Sequence, residues 1–454
     1  MKKTVITILL LAYSAVVLCC SSFVIQTDAG VYVGKNFDWM FGEGYLIQNN
    51  RGETRSALPI FEGIPVTWTS TFGSITFNQY GKNLPYGGMN EAGLVVEMLW
   101  LEETVYPFDP TQQYIGELEW IQYQLDNYAT AKEVAQNAGK FSIRPVGGKI
   151  HYTIADQSGE SVIVEFLNGK PVISPRTDNS TVCTNSAAYI AGIYYEKNKG
   201  TFRKGNHTLN RYLRLKDRTL AEESDETESF FDVLESAYQK KGSQPTQWQI
   251  VYDLSRQRIQ FRTRDQKKIR SIAFSDFDFA AGQNPQYAEL NARKWSLQPL
   301  TFAANQHLID ITMPKIGISK NLSDISRFIF EAQKPSRVAL FHNHTSLVVS
   351  FDTKLENQYV LIATLRNQEE FSTRRSELVG TLLMYNGVKE FAFYNIPLAE
   401  YAIAAVVDKD HNQRPSIDEP IIFAEWNQAD LPQQFSQVAL LLHENYHIQG
   451  MRLE

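Results

Sequence analysis

The sequence predicts an α+β fold in which a mixed strand-and-helix part is followed by an all-β sandwich. Three observations lead there. Two short strand-like runs flank a turn soon after Cys20. Helical periodicity with few breakers occupies 111–139, and 216–244 also reads as mostly helical. From about residue 345, short β-rich runs recur at sandwich spacing. The chain has 454 residues, and at roughly 150 per domain two or three domains are expected. Its 43 % hydrophobic and 21 % charged residues argue against a disordered chain. A net charge of −6 without a long Lys/Arg run argues against nucleic acid as the main partner. Three cysteines are too few for a disulfide framework.

The chain opens Met1-Lys2-Lys3, then runs apolar from Val5 to Leu18. A basic start and a short apolar core read as a secretory signal over 1–19. The run is shorter than the about 20 residues that span a bilayer, and no later stretch approaches that length. A cut between Cys19 and Cys20 puts Cys19 and Val17 at the two positions that signal peptidase inspects. The expected product is exported, to the periplasm or beyond, and begins at Cys20. The alternative is a lipid-anchored protein acylated on Cys19 or Cys20. Against it, Leu18 or Cys19 stands where a lipobox wants Gly, Ala or Ser.

Phe23–Ile25 and Val31–Val33 are strand-like runs around Thr27-Asp28-Ala29-Gly30, a turn sequence, so a β-hairpin is predicted. Pairing about that turn makes partner numbers sum to about 57. Lys35 then lies across from Ser22, and Cys20 across from Phe37 or Asp38. One turn gathers a thiol, a new α-amine, a cation and a carboxylate. A free α-amine has a pKa of about 8 and can serve as base toward its own side chain. A neighbouring cation such as Lys35 raises the thiolate fraction. Asp38 can hold the amine or the cation. An ordinary exposed hairpin at a frayed terminus is the alternative from composition alone.

Further along, Leu118, Trp120, Ile121 and Leu125 fall at helical spacing and read as core. A polar stretch around 282–297 reads as a crossover. Leu322–Ala332 reads as a helix packing on the first domain, which sets the boundary near 343. Domains are therefore expected at 20–343 and 345–454. In the second, Leu347–Phe351, Tyr359–Leu365, Leu382–Tyr385, Glu390–Tyr394 and Tyr401–Val407 are strand-like. This part reads as an immunoglobulin-like or transthyretin-like sandwich, an accessory domain for docking or shielding.

Several pieces together resemble the choloylglycine hydrolase family of N-terminal-nucleophile hydrolases. These are Cys20-Ser-Ser-Phe with Gly34-Lys35-Asn36-Phe37-Asp38-Trp39, Gly88-Met89-Asn90-Glu91-Ala92-Gly93-Leu94, and the paired strands His151 to Phe166. Thr184-Asn185-Ser186, Asn210-Arg211-Tyr212 and the closing hairpin Trp248 to Thr263 complete the order. The resemblance covers roughly 20 to 285. It implies an αββα fold, two stacked antiparallel sheets between helical layers. It also implies hydrolysis of a linear, non-peptide amide of an N-acyl compound such as a conjugated bile acid, penicillin V or an N-acyl amine. The segment NIPLAEYAIAAVVDKDHN is similar to a signature of a bacterial small β-domain family of unknown function, with Ala399 in place of its glycine.

The resemblance assigns roles. Cys20 is the nucleophile with its own amine as base. Lys35 replaces the commoner arginine, keeping charge but losing the bidentate fork. Asp38 holds the α-amine, Asn185 donates its side-chain amide to the oxyanion, and the backbone N–H of Trp100 is the second donor. Arg211 holds the cluster together electrostatically. Trp39, Phe41 and Trp68, with Trp100, are candidates to line an acyl pocket, core packing being the alternative. No cofactor is expected, and no metal, since no metal motif occurs. The expected partner is a small-molecule acyl amide; a homo-oligomer stays open.

Other residues are read more plainly. Cys183, two before Asn185, reads as a small core residue, with a second reactive thiol or a bond to Cys20 as alternatives. His342-Asn343-His344 has too few donors for zinc. Asp408-Lys-Asp410-His-Asn412 lacks the calcium-loop glycine and reads as a polar hairpin loop. A non-catalytic exported lipoprotein or binding protein on the same fold is the competing function.

Overall fold

The structure is a computed structural model that describes residues 20–222, 227–331, 344–373, 376, 378–409, 419, 421–426, 432, 434–442 and 446–453. The expected signal segment 1–19, His342 and Asn343, the boundary near 343, and the loop from Asp410 through Asp418 lie outside the described residues.

The predicted hairpin is present. Ser21–Thr27 pairs with Gly30–Asp38, Ser22 opposite Lys35 and Phe23 opposite Gly34. Gly34 is required there, because a Cβ would strike the Phe23 ring. The hairpin lies inside a six-stranded antiparallel sheet. Its order is Ser180–Cys183, Ser21–Thr27, Gly30–Asp38, Thr246–Asp253, Arg258–Thr263 and Arg270–Ala273. A nine-stranded sheet stacks on it, with Ile150–Ala155 beside Val95–Trp100 as its third and fourth strands.

Period-two alternation decides which side faces what. Val24, Val31 and Val33 join the core between the sheets, with Ile75, Phe77 and Tyr252. Phe23, Ile25 and Tyr32 point the other way and pack against Leu215, Phe230 and Leu234 of the helices Thr208–Leu220 and Thr227–Glu235. On the far face of the nine-stranded sheet lies the helix Glu117–Asn127, where Trp120, Ile121 and Leu125 are buried. Helices thus cover both outer faces, the αββα arrangement.

Two sequence expectations shift. The segment 111–139 is not helical throughout. It opens with the strand Tyr114–Ile115, and its helices Glu117–Asn127 and Ala131–Asn137 are separated at Tyr128–Thr130, where Thr130 caps the second. The polar stretch 282–297 contains Gln286–Glu289, which pairs with Tyr45–Asn49 near the sheet edge. The helix Leu322–Glu331 buries Ile325, Phe328 and Ile329 in the main core, as its periodicity predicts.

The C-terminal part is β-rich. One sheet has the order Glu390–Pro397, His344–Asp352, Tyr446–Arg452; the last strand, parallel to its neighbour, is one the sequence reading missed. The other is built on Gln358–Leu365, flanked by Leu378–Met384 and Glu400–Asp408. Leu347, Val349, Ile362 and Ile403 fill the space between them. That core also takes in Leu101, Leu167 and Ala187, so the sandwich shares buried surface with the N-terminal part. Among the described residues no helix is long and apolar enough to cross a membrane.

Candidate active site

The first described residue is also the candidate nucleophile. Cys20 is 4 % exposed, and its Sγ lies 3.8 Å from the Asp38 carbonyl oxygen. This follows from the hairpin register, in which Ser21 faces Asn36, so that its continuation by one residue sets Cys20 opposite Phe37. Burial pushes the thiol up to about 11, while the charges of Lys35 and Arg211 pull it down and that of Asp38 pushes it further up. A buried thiol in this state needs a base to become a nucleophile.

Arg211 ties the site together. The helix Thr208–Leu220 carries it, fully buried, to the end of the hairpin. Its Nη1 donates to the Cys20 carbonyl at 2.7 Å and its Nη2 to Asn185 Oδ1 at 2.9 Å. A guanidinium only donates, so this contact fixes which end of the Asn185 amide is oxygen. Asn185 Nδ2 then faces the main chain of Trp100 and donates to its carbonyl at 2.9 Å. Leu101 N–H bonds the Lys149 carbonyl at 2.9 Å, and antiparallel pairing alternates. The main-chain groups of Trp100 therefore turn away from that neighbour, toward Asn185. Both expected oxyanion donors meet at one place.

Lys35 is not a free cation beside the thiol. Its Nζ donates to the Met98 carbonyl and sits 3.6 Å from Glu97 Oε2, with both side chains buried. Tyr252 donates its hydroxyl proton to Glu97. Burial pushes the Glu97 carboxyl up, against the pull of Lys35 and Tyr252. Gly87 leaves the room, since a Cβ there would strike that carboxyl. Sequence reasoning missed Glu97; the available signal was a lone acid inside the apolar strand Val95–Trp100.

Asp38 is buried. Its Oδ2 accepts from Gln239 Nε2 at 2.7 Å, and the Thr246 side chain hydrogen-bonds the same carboxyl. Its Oδ1 has no partner among the described residues. Burial raises the carboxyl to about 6, against the pull of Arg211.

A second buried group stands behind Asn185. His151 Nδ1 lies 3.2 Å from Glu165 Oε1, and Nε2 donates to the Thr184 carbonyl at 2.8 Å. Cys183 Sγ is 3.5 Å from Nε2. Cys183 is buried as expected and pairs in register with Ser22, and neither it nor Cys20 is in a disulfide. Burial alone would lower His151, but the Cys183 and Glu165 side chains win and raise it to about 10. Neither His151 nor Glu165 was singled out from the sequence, because nothing local marks a His and a Glu on paired strands as partners.

Beside the cluster is a cavity of about 390 Å³. Trp39, Tyr86, Met98, Trp100, Ile316 and Ile325 are among the residues that line it, and the Tyr86 hydroxyl feels the charge of Cys20. Its acids Glu117 and Glu119 are occupied by backbone N–H groups of Val146, Gly148, Gly116 and Leu58. The surface it offers is therefore mainly apolar. Of the expected pocket residues, Trp39 lines it. Phe41 does not; it packs edge-on against Trp39 with centroids 6.3 Å apart. Trp68 is a correction: its indole N–H donates to Asp126 Oδ2 at 2.7 Å beside the buried Arg55–Asp126 ion pair, and its ring packs on Tyr123. Among the described residues no group of three or more His, Cys, Asp or Glu is placed to hold a metal ion.

The chain is similar to several known hydrolases in sequence and fold. Residues 19–210 match the linear amide C–N hydrolases of the choloylglycine hydrolase family. A penicillin V acylase from Pectobacterium atrosepticum is 36 % identical over 138 residues, 27 % of this chain and 36 % of that protein's own length. The structure of penicillin V acylase from Agrobacterium tumefaciens superposes with a TM-score of 0.56 at 25 % identity, covering 62 % of this chain and 98 % of that one. A conjugated bile acid hydrolase from Clostridium perfringens, at 14 % identity, superposes with a TM-score of 0.51 over 62 % of this chain and 97 % of that one. Through residues 19–210 this chain carries the pattern of the choloylglycine hydrolase family, whose members are hydrolases of linear amide C–N bonds, and it does so on the fold of a penicillin V acylase.

Proposed function

We propose that the chain is exported, cut before Cys20, and then works as a cysteine N-terminal-nucleophile hydrolase on N-acyl compounds with an apolar acyl group. One observation carries this reading. Arg211 holds the Cys20 carbonyl and the Asn185 oxygen at once, while beside Cys20 the Asp38 Oδ1 is buried without a partner. An unsatisfied buried carboxylate oxygen is costly. A cut before Cys20 turns its single amide N–H into an amine with additional N–H groups, one of which this oxygen can accept.

The neutral amine takes the thiol proton, and Sγ attacks the amide carbonyl carbon. The developing oxyanion takes hydrogen bonds from Asn185 Nδ2 and Trp100 N–H, with Asn185 releasing the Trp100 carbonyl. Each such donor typically contributes about 10²-fold or more in rate. The C–N bond breaks, and the leaving amine takes the proton from the Cys20 ammonium. Water, deprotonated by the same amine, then opens the thioester, so ping-pong kinetics are expected. Lys35 favours the thiolate by its charge but, engaged with Glu97 and Met98, does not contact substrate in this role. The mainly apolar cavity beside the site suits the acyl group. Penicillin V, a conjugated bile acid and N-acyl amines are the compounds to try first.

The test is intact mass of the secreted protein together with an acyl-amide panel. A chain beginning at an unmodified Cys20, and an acyl adduct on it during turnover, are expected. A lipid mass on Cys20, or a mature terminus elsewhere, would overturn the reading.

A further inference from the structure

The cavity beside Cys20 is not closed by the N-terminal part alone. Asn395, on the sandwich strand Glu390–Pro397, forms part of its wall. A second cavity, of about 320 Å³, adjoins it across Ile60, Phe61 and Asn395, which line both. The two differ in chemistry. The first is mainly apolar, whereas the second sets Phe108 and Val348 beside Arg144, Glu390, Ser346 and His447.

The sandwich is held in register at this junction. Tyr394, next to Asn395, accepts the Tyr106 N–H through its hydroxyl at 2.9 Å. Asn168 donates to the Gly387 carbonyl at 2.7 Å, and its Oδ1 accepts from the Lys389 and Glu390 N–H groups at 3.0 and 3.1 Å. Lys149 Nζ sits 3.5 Å from the Phe391 ring centroid. The Arg144 guanidinium stacks over Phe61 at 4.7 Å, and so is a fixed, planar group rather than a loose cation. Asn395 has φ of 56°, a left-handed conformation that asparagine tolerates better than most residues.

We propose that the sandwich completes the substrate site, and that the substrates carry a long apolar acyl chain ending in a hydroxyl or carboxylate group that the second cavity receives. This rests on the reading that the acyl group occupies the first cavity. A methyl end reaching the second cavity would strip water from Glu390, Ser346 and His447 and return no hydrogen bond. A polar end replaces the lost water.

The experiment uses the mature full-length chain and para-nitroanilides of butanoic, dodecanoic, ω-hydroxydodecanoic and dodecanedioic acids. The expected result is a kcat/KM for the hydroxy- or carboxy-ended substrate about tenfold above that for the dodecanoyl one, and the two arms say which group is preferred. Ser346→Trp and His447→Trp, on neighbouring strands, each fill the second cavity and should erase that ratio. Calorimetry of dodecanoic against ω-hydroxydodecanoic and dodecanedioic acid on Cys20→Ala reads the same preference without hydrolysis. Equal rates and equal binding for methyl-ended and polar-ended chains overturn the proposal, as does an unchanged ratio in both tryptophan variants. Absence of hydrolysis for every substrate, with the binding preference intact, overturns the proposed chemistry and leaves this inference standing.

Discussion

His151 and Glu165 form a buried ion pair that grips the chain on both sides of Asn185. His151 Nε2 donates to the Thr184 carbonyl at 2.8 Å, and Glu165 Oε1 accepts the Ala188 N–H at 2.9 Å. The residue between these anchors is the proposed oxyanion donor. Both ring nitrogens of His151 face acceptors, an arrangement that a doubly protonated ring with Glu165 as counterion satisfies.

Glu165→Gln keeps an oxygen for Ala188 but removes the charge. Breaking a buried pair from one side leaves the other charge uncompensated, at about 3 kcal/mol. Urea unfolding should show that loss, and turnover should fall more than KM rises because Asn185 is less firmly aimed. An unchanged urea midpoint would show that the pair holds nothing.

The same pair predicts a pH dependence. His151 rises from the ordinary 6.5 to about 10 in the folded protein. A base raised on folding stabilises fully below its unfolded pKa and loses that stabilisation as pH climbs through the folded one. The stability gap between the parent and His151→Gln should therefore be widest below pH 6.5 and shrink toward pH 10. Thermal melting across that window measures it, and a gap that widens with pH would contradict the assignment.

What the sequence disclosed divides along contact range. The juxtaposition of Ser22 and Lys35 follows from one turn, because the turn fixes the pairing sum and Gly34 admits Phe23. Strand alternation likewise gives Val24 inward and Phe23 outward. Asn185 and Arg211 were legible only through the order of short motifs, since no local rule brings residues 26 apart to 2.9 Å. Glu97, Glu165 and Asn395 were not legible. Glu97 and Asn395 acquire their roles from strands remote in the chain, and Glu165 faces His151 across a hairpin, where an isolated acid announces no partner. Trp68 misled for the opposite reason. Its strand pairs it with Arg55, and an indole N–H that finds a buried carboxylate goes to the core whatever its neighbours in sequence.

Asn185→Ala removes Nδ2 from the oxyanion and also Oδ1 from Arg211. Turnover should fall by an amount equal to roughly 3 kcal/mol in barrier. Unlike a purely catalytic loss, it should come with about 1–3 kcal/mol of lost stability, because a buried guanidinium loses an acceptor. Single-turnover acylation rates and urea melts separate the two. A variant with full acylation rate removes Asn185 from the oxyanion site.

Cys20→Ser keeps the position and a proton-bearing side chain but replaces the thiol by a weaker nucleophile. Hydrolysis of acyl amides should be lost while the fold and the affinity for the product acid remain. Full activity in this variant would falsify Cys20 as the attacking atom.

Asp38 distinguishes the uncut from the cut chain. While the Cys20 nitrogen is an amide, burial holds the Asp38 carboxyl at about 6, above its ordinary 3.8. An acid raised on folding binds more protons folded than unfolded in that interval, so stability falls as pH rises from 3.8 to about 6. A shift of this size corresponds to about 3 kcal/mol. Once the cut creates an ammonium beside Asp38, attraction favours the carboxylate and the penalty should shrink or reverse. Melting temperatures of an N-terminally extended form and of the mature form, followed across that interval, should differ in slope, the extended form falling more steeply with pH. Parallel slopes would mean that the new amine does not meet Asp38, and the base would then have to be sought elsewhere.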